Sequence, residues 1–130
     1  MAEELAIVSD ADVVRVRQAV RGLAIEARLS VVDQTKIVTA ASELARNALV
    51  HGGGGSAELT LVHEAGKTGV RASFSDNGSG IRNIDVALAG GVSTAGGLGL
   101  GLSGSKRLVD LFDLQTDSGG TRVTVTKWKR

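Results

Sequence analysis

Apolar residues recur along the first half of the chain with the spacing of helices. Val13, Val16, Val20, Leu23, Ala24 and Ala27 share one face at about 100° per residue, behind a cap-capable hydroxyl and acids at Ser9 to Asp12. The spacing predicts a helix from about Ala11 to Arg28, after a short opening strand at Leu5-Ala6-Ile7-Val8. Ser30 followed by Asp33 marks a second helix start. Its core stripe is Ile37, Ala41, Leu44, Ala45 and Ala48, and Gly52-Gly53-Gly54-Gly55 ends it after His51. Alternation then takes over. Leu59, Leu61 and His63 form one strand pattern and Val70, Ala72 and Phe74 the next, with Gly66-Lys67-Thr68-Gly69 as the turn of a hairpin that stops at Asp76. A short helical piece is expected at Ile84 to Ala89. Gly90 to Gly101 is mostly glycine and small residues. A helix is expected from Leu100 to Phe112, with Leu102, Leu108, Val109 and Phe112 in the core. Leu114 opens a strand, Gly119-Gly120 turns, and Thr121 to Trp128 returns with Val123 and Val125 alternating. Helices and strands mix without a strict βαβ rhythm. The expected fold is therefore α+β, a two-layer α/β sandwich on a mainly antiparallel sheet, with residues 1–130 as one domain.

Composition narrows the chemistry. Apolar residues make up 42% of the 130, yet only two Phe and one Trp are present, so Leu, Val, Ile and Ala must build the core. A net charge of +1 leaves no electrostatic footprint for nucleic acid. The absence of cysteine excludes a disulfide framework, a thiol nucleophile and a cysteine-ligated metal. The acidic start Met1-Ala2-Glu3-Glu4 lacks a hydrophobic signal segment, and no apolar run reaches membrane-spanning length, so a cytoplasmic protein without a membrane partner is expected. The 18 glycines cluster in particular loops.

Three stretches can carry chemistry. On the second helix, Thr39, Glu43, Arg46, Asn47 and Val50 fall on the face opposite the core stripe. A carboxylate and a carboxamide thus stand one turn apart: Glu43 can accept a proton or order a water, and the Asn47 oxygen can ligate a hard cation such as Mg²⁺. Alone, the same pattern also describes a solvated polar face. Asp76-Asn77-Gly78-Ser79-Gly80 puts a carboxylate at a strand end beside two glycines that admit a flat ring, or else simply terminates the strand. Gly96-Gly97-Leu98-Gly99-Leu100-Gly101 precedes a helix and can cradle phosphate with backbone N–H groups, although neither a P-loop nor a Rossmann context surrounds it. His51 and His63 lack a metal-ligand set and are read as a helix-end and a strand residue. Arg15, Arg17, Arg21 and Arg28 lie off the first helix's core stripe, as a solvated face or a surface for an acidic partner.

In this order, Glu43-x-x-x-Asn47, Asp76-x-Gly78-x-Gly80 and Gly97-Leu98-Gly99-Leu100-Gly101 resemble the N, G1 and G2 boxes of the GHKL ATPase/kinase superfamily, and Gly120-Thr121 resembles its final Gly-Thr element. Ser42-Glu43-Leu44-Ala45-Arg46-Asn47 and Gly91 to Leu102, followed by Gly104 and Lys106 to Asp110, resemble the RsbT-type switch kinases more closely. The resemblance implies a GHKL (Bergerat) ATP-binding fold and a serine/threonine kinase of bacterial stress signalling. It implies ATP/ADP and Mg²⁺ as cofactors and STAS-domain scaffold or antagonist proteins in large assemblies as substrates. It also implies a PP2C-type phosphatase that the released kinase activates. The sister group of anti-sigma-factor kinases, which sequester a sigma factor, is the alternative. Carried over residue by residue, Asp76 would read the adenine amine, with Thr121 assisting through a water. Asn47 would hold Mg²⁺, and Glu43 would be the general base. Gly78, Gly80 and the run Gly97, Leu98, Gly99, Leu100, Gly101 would give backbone access to the nucleotide. In the short segment between the G1 and G2 boxes Arg82 is the nearby cation, with no lysine as an obvious γ-phosphate clamp.

Overall fold

The computed structural model describes residues 2–78 and 102–130. Five strands and three helices are described: β1 (Ala2–Ile7), α1 (Asp10–Glu26), α2 (Val31–Val50), β2 (Gly55–Glu64), β3 (Lys67–Asp76), α3 (Leu102–Leu108), β4 (Leu111–Asp117) and β5 (Gly120–Trp128). The strands form one sheet in the order β1-β2-β3-β5-β4, and each neighbouring pair is antiparallel. The helices pack on one face of it, giving the expected α+β two-layer sandwich.

Both long helices start where their hydroxyls predict. Ser9 Oγ accepts from the Asp12 N–H at 3.4 Å and Ser30 Oγ from the Asp33 N–H at 3.1 Å. Each satisfies a donor that the first turn cannot pair internally. Val13, Val16, Val20 and Ala24 are buried along one stripe of α1, with Ala27 buried just past its end, and Ile37, Ala41, Leu44, Ala45 and Ala48 along α2. Those stripes meet Ala57, Leu59, Val70, Ala72, Phe74, Val123 and Val125, the inward positions of the central strands. Fully burying side chains such as Ile37, Leu44 and Val125 stabilises the fold by about 1.5–3 kcal/mol each.

Four boundaries differ from the sequence reading. The opening strand is Ala2–Ile7, because it pairs residue for residue with β2 from Thr60 back to Gly55. The first helix stops at Glu26, and Arg28 adopts a left-handed φ of 63° that turns the chain toward α2. The hairpin turn is Ala65-Gly66, at φ 52° and 77°, and Lys67 to Gly69 already belong to β3. Gly69 is needed for close approach: a Cβ there would collide with the Lys127 carbonyl on β5. The fourth difference is the largest. The helix expected to reach Phe112 ends at Leu108, and the strand expected at Leu114 begins at Leu111. Asp110 is held away from the helix by tertiary bonds. Its N–H donates to the Thr126 carbonyl at 2.9 Å, and its Oδ2 accepts the Trp128 N–H at 2.7 Å. Phe112 and Leu114 then line up as half-buried inward residues of β4. The helical piece expected at Ile84 to Ala89 and the glycine-rich stretch Gly90 to Gly101 lie outside the described residues. No described helix is long and apolar enough to cross a membrane.

One polar cluster sits inside. Lys127, on the inward face at the end of β5, is only 3% exposed. Its Nζ lies 3.6 Å from Asp33 Oδ1 at the start of α2 and 3.4 Å from Asp110 Oδ1, and Arg130 closes on the same Asp110 oxygen. Two carboxylates meet two cations and tie the start of α2 to the sheet.

Candidate functional site

The cleft forms at the other end of α2. Asp76 ends β3 directly across from Thr121 near the start of β5, two residues beyond the Phe74–Val123 pair on the same inward face. The C-terminal turn of α2 comes down beside them. The cleft between is lined by Leu44, Asn47, Ala48 and His51 of the helix end, Gly52, the two strand pairs, and Leu102 at the start of α3. Its walls are apolar and its polar groups few, the usual make-up of a small-molecule site.

Local chemistry fixes Asp76. Its Oδ1 accepts the Gly78 N–H at 2.9 Å, an Asx turn that ends the strand. Its Oδ2 has no hydrogen-bond partner among the described residues. The carboxylate passes so close to Gly52 that a Cβ on that glycine would occupy its place. Gly78 is less tightly confined, with a Cβ meeting Gly52 Cα at 3.0 Å. Gly120 approaches the Asp76 carbonyl in the same way and holds a φ of 143° that only glycine adopts readily. The Thr121 hydroxyl shares a 2.9 Å hydrogen bond with that of Thr116 on β4.

Asn47, Asp76 and Thr121 are thus brought together on one cleft. Glu43 stands one turn before Asn47 on α2; it is exposed where Asn47 is half-buried, so it lies beyond the cleft on the solvent side. Beside it, Ser42 Oγ accepts from Arg17 Nε of α1 at 3.1 Å, so one of the four arginines bridges the two helices. Gly78 abuts Asp76, while Gly80, Gly97, Leu98, Gly99, Leu100, Gly101 and Arg82 lie outside the described residues. His51, read from the sequence as a mere helix end, lines the cleft one turn after Asn47. That i, i+4 spacing was the available signal. In the sequence Gly52 marks only a helix stop. Its confinement against Asp76 depends on a contact between residues far apart in sequence.

Among the described residues no cluster of His, Cys, Asp or Glu could cage a metal ion. Asn47 offers a single oxygen. Such a donor fits Mg²⁺, which keeps several waters and is commonly held through one or two side chains plus phosphate oxygens. The apolar walls with one carboxylate between Gly52 and Gly78 fit a flat, amine-bearing ring.

Residues 32–130 match the family of histidine kinase-, DNA gyrase B- and HSP90-like ATPases. The serine/threonine-protein kinase RsbT of Bacillus subtilis (strain 168) is 42% identical over 125 residues, covering 95% of this chain and 94% of that protein. Among solved structures, the RsbU and RsbW domains of Rv1364c from Mycobacterium tuberculosis superpose with a TM-score of 0.69 at 23% identity, over 98% of this chain and 31% of that one. The SiaB–SiaC complex from Pseudomonas aeruginosa superposes with a TM-score of 0.58 at 12% identity, over 97% of this chain and 88% of that one. At such identities these two likenesses establish the shared fold alone.

Proposed function

The chain belongs to the histidine kinase-, DNA gyrase B- and HSP90-like ATPase family and, within it, to the RsbT-type serine/threonine protein kinases; from that premise we propose that it phosphorylates STAS-domain scaffold or antagonist proteins in a bacterial partner-switching stress pathway. Once released from them, it binds and activates a PP2C-type phosphatase. It works as one domain, residues 1–130, in the cytoplasm.

The observation that carries this reading is the arrangement along α2. Asn47 borders a cleft that also holds Asp76 and Thr121, while Glu43 is exposed one turn away. In this reading the adenine amine donates to Asp76, and Thr121 assists through a water. Gly78, Gly80 and the run Gly97 to Gly101 let the backbone approach the nucleotide. Asn47 holds Mg²⁺, which when bound neutralises phosphate charge. Glu43 faces the acceptor protein from the solvent side. Its carboxylate takes the proton of the incoming serine or threonine hydroxyl as that oxygen attacks the γ-phosphorus and ADP departs. Phosphoryl transfer of this kind depends on positioning and charge neutralisation more than on covalent chemistry.

Glu43→Ala tests the assignment. A positioned base contributes about 10²–10⁴-fold, so transfer to a STAS-domain substrate should fall by that order while Mg-ATP affinity stays near wild type. Alanine is the better helix former, and the exposed site leaves no cavity. Labelled-phosphate transfer and calorimetry on the same variant give both readings. Wild-type transfer with weakened partner binding would make Glu43 an interface residue instead of a base.

A further inference from the structure

At the end of the molecule away from the cleft, the outer corner of the sheet forms a shallow groove. It is bordered by Lys67, Asp110, Leu111, Trp128, Lys129 and Arg130. The groove is built by the fold. Trp128 sits opposite Gly69 in the β3–β5 register, and a Cβ on Gly69 would lie 2.8 Å from the indole Cε3, so the ring has its seat only because that residue is glycine. Leu111 opens the edge strand β4 and is 50% exposed. The Lys129 N–H donates to the Thr68 carbonyl at 2.7 Å, which fixes the backbone beyond β5 against β3.

Charge decides what this groove takes. Asp110 and Asp33 are already matched by Lys127 and Arg130. Glu64 is matched by Arg71 at 2.8 Å. Lys67 and Lys129 are exposed and have no ion-pair partner among the described residues. One groove thus combines an indole and an isobutyl group with two ammonium groups that have no ion-pair partner among the described residues. Interfaces that bind protein segments share this combination, with tryptophan prominent at their centres and polar groups outside. Two lysines make a poor anchor for a lipid surface, where each is worth about 1 kcal/mol.

We propose that this groove docks an acidic segment of a partner protein, with an aliphatic side chain resting on Trp128 and Leu111 and its carboxylates on Lys67 and Lys129. Thr121 and Trp128 stand seven positions apart on β5, about 23 Å of extended strand, so a docked segment leaves the cleft open. The proposal does not rest on the kinase reading of that cleft.

The chain's one tryptophan lies in the groove, so its emission reports occupancy directly. The probe is a short synthetic peptide alternating glutamate with leucine, titrated into the full chain. A saturable change in Trp128 emission is expected, with a Kd that rises with salt. The double variant Lys67→Glu, Lys129→Glu should raise that Kd by about 10- to 100-fold, since like charges then face each other. Leu111→Ser should weaken binding through the apolar contact alone, and a lysine–leucine peptide should not bind. Unchanged emission, an unaltered Kd in the charge-reversed variant, or a response only to phosphatidylserine vesicles would overturn the proposal.

Discussion

The two ends of α2 use polar residues in opposite ways. At the start of the helix, Asp33 meets Lys127, Lys127 meets Asp110, and Arg130 completes the set, so the charges cancel within the chain. At its end, Asn47 and His51 border a cleft with Asp76, whose second oxygen no described residue satisfies. Polar groups that hold the fold are matched internally, because an unpaired buried charge is costly. In the cleft, that second oxygen of Asp76 is left to be matched by what enters. The same helix is a strut at one end and a wall of the cleft at the other.

The contrast breaks most sharply at Lys127. Lys127→Met would leave two carboxylates without their shared cation. Breaking a buried pair in this way costs about 3–5 kcal/mol, to be read from urea denaturation. Folded protein should still bind nucleotide as before, because the cleft lies at the other end. Unchanged stability would mean that the charge set is incidental to the strut.

At the cleft end the expected effect is smaller and falls on affinity. Asp76→Asn retains an oxygen for the Gly78 N–H but presents a donor to the adenine amine. A mismatch of that kind costs about 1–3 kcal/mol, or roughly one to two decades in Kd for ADP by calorimetry. Equal affinity in a folded variant would remove Asp76 from adenine recognition.

The smallest effect sharpens the comparison at a third place, the entry to α1. The Asp12 carboxyl titrates below its ordinary value, chiefly because the Val8 N–H donates to it at 2.9 Å, with Ser9 and Arg15 adding to this against the opposing effect of burial. A carboxyl whose folded pKa is depressed contributes stability above its unfolded pKa. That contribution is lost as pH falls through the folded value. The melting temperature should therefore drop below about pH 4, and Asp12→Asn should make that drop shallower. Identical pH profiles for the two proteins would show that Asp12 adds nothing. Arg15 is largely exposed, so its share is screened by solvent.

Much of this was legible in the residues themselves. The stripes of α1 and α2 could be read because each helix buries one side only, and Ser9 and Ser30 marked their starts by hydroxyl chemistry. Val70, Ala72 and Phe74 face the core as their alternation predicted. The boundary after α3 was not legible. Leu108, Val109 and Phe112 have helical spacing, and what ends the helix is the set of bonds between Asp110 and the distant Thr126, Lys127 and Trp128. The hairpin turn was misplaced for a related reason. Gly69 looks like a turn residue, yet it is glycine because β5 presses against it. At the candidate site, Asn47 and Asp76 stand out from the residues themselves, and Thr121 only through the family resemblance. His51 and Gly52 needed the cleft to be seen, since their placement depends on how the end of α2 meets β3.

The strand order has a consequence for time. Among the described strands β1 pairs only with β2, and α1 and α2 both lie between them in the chain. The β2–β3 hairpin closes over two residues, Ala65 and Gly66, and can form within microseconds, about 1–10 μs for hairpins generally. β1 must instead wait for a closure spanning Ile7 to Gly55, whose entropic cost grows with the logarithm of loop length. Its residues are mostly exposed even when paired. The first strand in the sequence is thus among the last to find its place, and the edge at β2 stays open to other strands until it does.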